Sequence, residues 1–79
     1  MPTYRISVID SQFRADEEHE LDDVESARSY SLKAAFEIGF DLLMRGETFY
    51  GAEVRIHHDD RLVSRFMISA GTTQLQLPS

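Results

Sequence analysis

Between Thr3 and Asp10 apolar and polar residues take turns, with Tyr4, Ile6 and Val8 on one side and Arg5, Ser7 and Ile9 on the other. That is the period of a strand with one covered face. Asp10-Ser11-Gln12 supplies turn-forming side chains, and Phe13-Arg14-Ala15 is placed to pair back as a short second strand. The pattern changes at Leu21-Asp22-Asp23-Val24-Glu25, where an aspartate precedes an apolar-periodic run and a glutamate stands three residues after Asp22. This predicts a helix starting near Asp22 with a capping box. No proline interrupts Val24 to Arg45 and Gly46 follows in the order expected at a helix C-terminus, so about six turns result. At about 100° per residue, Val24, Ala27, Leu32, Ala35, Ile38, Gly39, Leu42 and Leu43 share one arc, opposite Ser26, Lys33, Glu37 and Asp41. Tyr30, Phe40 and Met44 project on or beside the polar arc and call for a cover of their own.

Beyond Gly51, Ala52, Val54 and Ile56 alternate with Glu53, Arg55 and His57, and a further run from Leu62 to Ala70 carries Leu62, Phe66 and Ile68 on one face. His58-Asp59-Asp60-Arg61 reads as the hairpin turn between them. Val63 and Met67 make the last strand apolar on its other face too, which places it centrally, against the first strand. Thr72 to Leu77 alternates weakly, so residues 71–79 are an edge strand or a loose tail. The resulting fold class is α+β: one long helix packed on a three- to four-stranded antiparallel sheet, in the order β(β)αββ.

The chain has 79 residues and no cysteine, so it is one small domain that depends on packing and self-association for stability. Its 42% hydrophobic and 28% charged residues match a folded globule rather than a disordered tail. The opening Met1-Pro2-Thr3-Tyr4-Arg5 carries no charged leader ahead of an apolar run, and no stretch is long enough to span a bilayer. The expectation is a cytoplasmic protein without a membrane partner. Net charge is −6, with Asp16, Glu17, Glu18, Glu20, Asp22, Asp23 and Glu25 crowded into one segment, which disfavours unspecific attraction to nucleic acid.

With the element order read, the sequence resembles a family of short uncharacterised bacterial proteins, frequent in rhizobia, defined as a domain of unknown function. The resemblance covers nearly the whole chain. It is carried by the Met-Pro-x-Tyr opening, Asp16-Glu17-Glu18 followed by Glu20-Leu21, Asp23 to Ala35 with Glu25 and Ala27, Gly46, and Arg55-Ile56 leading to Asp59-Asp60-Arg61-Leu62-Val63. It implies a fold and no reaction. His19 stands where the family usually has glycine, and the usual turn glycine between Asp60 and Arg61 is missing, so a residue other than glycine has to adopt any positive φ there.

His57, His58, Asp59 and Asp60 are four potential metal ligands in a row. In a strand, however, His57 and His58 point to opposite faces, so a hydrated hairpin turn is the plainer account. The acidic segment lacks the spacing of a calcium loop, and favours a helix start with a solvated face. Arg5, Arg55 and Arg65 fall outward on three strands beside His57, but Glu53 interrupts the stripe and exposed aromatics for base stacking are missing. No nucleophile elbow, phosphate-binding loop or zinc-protease pattern occurs, so the expectation is a non-enzyme without cofactor.

Ile9, Val63 and Met67 also fall on the outward sheet face. A two-layer domain leaves that face open, and a short chain gains by burying it against a second copy. The sequence therefore points to a homodimeric interaction module, with Arg5, Ile9, Arg55, Val63, Arg65 and Met67 at the interface. An unidentified protein partner would be the further ligand, ahead of a metal or small ligand at His57–Asp60 or a nucleic acid.

Overall fold

Four antiparallel strands and one helix are linked in the order β1 (Thr3–Ile9), β2 (Arg14–Glu20), α1 (Val24–Met44), β3 (Phe49–His58) and β4 (Arg61–Gly71). The computed structural model describes residues 1–78. Across the sheet the strands run β2-β1-β3-β4. β3, not the last strand, sits beside β1 and takes neighbours on both edges. Its Tyr50, Ala52, Val54 and Ile56 are all buried, whereas only Ile68 of β4 is. Val63 and Met67 make β4 apolar on both faces, but that did not make it central.

β2 is longer than the predicted Phe13-Arg14-Ala15 and contains much of the acidic segment. Its seven residues pair one to one with β1, from Thr3 opposite Glu20 to Ile9 opposite Arg14. The Asp10 carboxylate accepts from the amides of Gln12 (2.7 Å) and Phe13 (2.8 Å), closing the turn that sets this register. His19 is therefore a strand residue opposite Tyr4 and needs no left-handed backbone.

The helix cap is Asp23 rather than Asp22. Asp23 is extended, and its carboxylate accepts from the Ser26 amide at 2.8 Å, which holds the carboxyl below its ordinary range. At the other end Gly46 has φ 104° and donates to the Leu43 carbonyl, while the Glu47 amide donates to Leu42, both at 3.1 Å. That double bond is the Schellman stop anticipated from Gly46.

Ala27, Ser31, Ala35 and Gly39 are the buried residues of α1, one per turn. Val24, Leu32, Ile38 and Leu42 are half-buried around them. Ser31 is the unforeseen member. Its hydroxyl donates to the Ala27 carbonyl at 2.8 Å, so a polar side chain is buried with its bond made inside the helix. Ala27 and Ala35 share one core cluster with Tyr4, Ile6, Val8, Tyr50, Ala52, Val54, Ile56 and Ile68. α1 runs against β3, β4 and β1, and meets β2 through the rings of Tyr30 and His19.

The β3–β4 turn places Asp59 at φ 50° and Asp60 at φ 63°. Two successive left-handed residues form the hairpin geometry that usually selects Asn-Gly, here filled by aspartates. A bulge between Ile56 and His57 then leaves Leu62 opposite His57 and Ser64 opposite Ile56, with Val63 as the extra residue. Leu62 consequently leaves the face of Phe66 and Ile68, where simple alternation had put it. Among the described residues after Gly71 only the Thr72 amide is tied back to another element, to the Thr48 carbonyl at 2.9 Å, and residues 72–78 form no edge strand; position 79 of the expected segment lies outside the described residues. Leu75 and Leu77 are exposed.

Candidate interaction surfaces

Register places Arg14, Asp16 and Glu18 of β2, Arg5, Ser7 and Ile9 of β1, Glu53, Arg55 and His57 of β3, and Arg65 and Met67 of β4 on the sheet face away from the helix. Five of the six sequence-derived interface residues, Arg5, Ile9, Arg55, Arg65 and Met67, thus share a face, and Val63 sits at the bulge beside it.

This face is a lattice of alternating charge. Glu53 is its hub: one carboxylate oxygen accepts from Nε of Arg55 at 2.6 Å and of Arg65 at 2.5 Å. Arg55 and Arg65 lie directly opposite each other, a pairing that would repel without the carboxylate. The two guanidinium groups hold the Glu53 carboxyl down to about 2, Arg55 contributing most. A second node joins Asp16 to Arg14, Nε to Oδ2 at 3.0 Å, and to the Ser7 hydroxyl, which donates to it; both bonds depress the Asp16 pKa. Ser7 itself is fully buried.

His57 and His58 do part company as the strand period requires. The His58 ring lies against Tyr4, centroids 5.0 Å apart, with Nε2 3.3 Å from Asp59 and Nδ1 3.3 Å from the Thr3 carbonyl. His57 faces the other way, beside Arg5, and its Nδ1 and the Arg5 Nε are buried without a hydrogen-bond partner among the described residues. Both line a cleft of about 270 Å³ with Thr3, Glu18, Asp59 and Asp60. No three histidine or carboxylate side chains converge there on a metal position, among the described residues. A second cleft, of about 250 Å³, lies between the β1–β2 turn and the end of α1, with Phe13, Leu42 and Tyr50 in its wall. The Tyr50 hydroxyl is buried without a hydrogen-bond partner among the described residues, and burial together with the Asp10 charge pushes its pKa up. Both spaces fall below the usual range for a small-molecule pocket, about 300–1,000 Å³.

A further apolar feature belongs to the helix. Tyr30 stays 38% exposed, with its ring beside that of His19 of β2, centroids 4.4 Å apart, so this flank of α1 faces β2. At about 100° per residue Leu32, Phe36, Phe40 and Met44 lie about 160°, 120°, 80° and 40° from Tyr30, a row that winds from the half-buried side of α1 to its solvent side. Phe36 is 47%, Phe40 67% and Met44 72% exposed. Phe40 and Met44 stood out in the sequence, and Phe36 did not. The four-residue spacing from Leu32 to Met44 was the signal that joins them.

No family model, curated protein or solved structure matches this chain. No helix among the described residues is long and apolar enough to cross a membrane.

Proposed function

We propose that this chain is a non-enzymatic cytoplasmic interaction module that works as a homodimer, in the manner its resemblance to a family of short bacterial domains allows. In this reading α1 is packed on the sheet and roofs one face. The open face, with the Glu53 hub, Arg5, Arg55 and Arg65 and the apolar Ile9, Val63 and Met67, presents a patterned surface to a protein partner.

What supports the homodimer is the area left in water. A folded monomer of 9.1 kDa exposes about 4,900 Å². This one exposes 5885 Å², about 1,000 Å² more. Its radius of gyration of 15.2 Å, against about 11.6 Å for a compact domain of this length, says the same. Part of the excess belongs to the extended segment after Gly71. Beyond that segment, large apolar side chains of the folded elements, Phe36, Phe40, Phe49 and Met67 among them, stay in water, as a contact surface requires.

Sedimentation equilibrium or light scattering at high micromolar concentration tests the reading. A mass twice that of the chain is the expected result. A monomer at every concentration overturns it.

A further inference from the structure

β1 ends before β3 does. Ile9 opposite Glu53 is their last pair, and β3 runs on to Phe49 with a strand partner only in β4. The space beside that unpaired stretch is the cleft of about 250 Å³ at the β1–β2 turn, with Tyr50 in its wall. Its apolar lining is Phe13, Leu42 and Phe49, both phenylalanines being exposed. The ring of Phe49 lies against Gly51, where a Cβ would stand 3.0 Å from its Cε2, so the missing side chain makes room for the ring.

The charged groups of the lining are Asp10 and Glu47, and no lysine, arginine or histidine accompanies them. Asp10 uses one oxygen, Oδ1, for the amides of Gln12 and Phe13, and Oδ2 has no bond among the described residues. Neither carboxylate joins an ion pair among the described residues. Arg45, the base nearest Glu47 in the chain, is held by Asp41 at 3.1 Å. The end of α1 adds to the negative potential: Leu42 belongs to its last turn, which carries the negative end of the helix dipole and no basic residue. Tyr50 contributes an unmet hydrogen bond. It is 4% exposed, its hydroxyl has no partner among the described residues, and the Asp10 charge is near enough to raise its pKa.

We infer that this cleft binds a primary alkylammonium group. Two carboxylates and a helix C-terminus surround the space without a cation of their own, so an anion is repelled and a cation attracted. The three N–H donors of the head group match three acceptors, Asp10 Oδ2, the Glu47 carboxylate and the Tyr50 oxygen. Its methylenes lie along Phe13, Leu42 and Phe49, and the faces of the rings add attraction to the charge. A cleft of this size holds a head group and a short chain rather than a drug-sized molecule. A free alkylamine and the lysine side chain of a protein partner present the same group. The site needs no second copy of the chain.

The test is a titration of the full chain at neutral pH, followed by amide NMR. Butylammonium chloride should shift the amides of Gln12, Phe13 and Gly51 saturably in the millimolar range, and butanol, similar in shape but uncharged, should not. Asp10→Asn/Glu47→Gln keeps an acceptor for the two turn amides while removing both charges, and should weaken binding by about 10-fold or more. A lysine-containing pentapeptide that binds more tightly than butylammonium assigns the group to a protein partner, and one that binds equally or less tightly assigns it to a free amine. No saturable shift at these amides, equal shifts with butanol, or undiminished binding by the folded double variant overturns the proposal.

Discussion

The backbone of Gly39 lies against the ring of Tyr50 so closely that a Cβ at Gly39 would stand 2.6 Å from Tyr50 Cδ2. No methyl fits there. Tyr50 is held among core residues and is 4% exposed, so its ring has little room to retreat. In an open helix, replacing glycine by alanine gains about 1 kcal/mol. Here overpacking, typically about 1–3 kcal/mol, opposes that gain. Gly39→Ala is expected to lower stability despite its better helix propensity, and Gly39→Val to lower it by about 2 kcal/mol or more. Urea midpoints of the two variants against wild type decide it.

Glu53 makes stability depend on acid. Its folded pKa, about 2, is below the ordinary 4.5, so the ionised form is the one the fold prefers. The contribution is complete above about 4.5 and is lost as pH falls toward about 2. Glu53→Gln should therefore be less stable than wild type at pH 7, and the gap should narrow across that window. Paired denaturation curves at neutral and acid pH measure it.

The β3–β4 turn can be improved. Asp59 and Asp60 tolerate left-handed backbone better than branched residues do, yet Asn-Gly is the preferred pair for this geometry. The Arg5–Asp60 ion pair is 3.9 Å long with Asp60 almost fully in water, so losing it matters little. Asp59→Asn/Asp60→Gly should stabilise by about 0.5–1 kcal/mol, read as a rise of several degrees in Tm.

Two neighbouring aspartates should behave differently at the helix start. Asp23→Ala removes the acceptor of the Ser26 amide and should lower the urea midpoint. Asp22→Ala should leave it nearly unchanged. Equal losses in the two variants would show that local charge, rather than the cap, holds the first turn.

Local alternation was enough to find β1, β3 and most of β4, because the covered side of a strand must repeat every second residue. Gly46 marked the end of α1 for an equally local reason, since its φ of 104° suits few other residues. Likewise His57 and His58 had to face apart, and Arg5, Arg55 and Arg65 had to share a face. β2 was barely visible, because Arg14–Glu20 has almost no apolar residue to alternate; partnership with β1 and the Asp10 turn make it a strand.

By itself, then, the sequence determined the kinds of element, their order and the faces of most strands, all of which follow from contacts a few residues apart. The tertiary structure alone decided that β3 lies between β1 and β4, that the bulge turns Leu62 away from Phe66, and that Ser31 is buried between Ala27 and Ala35. Each depends on residues distant in the chain competing for the same space. The pairing of Glu53 with Arg65 is of that kind: the two are twelve positions apart, and only the register of β3 on β4 brings them together.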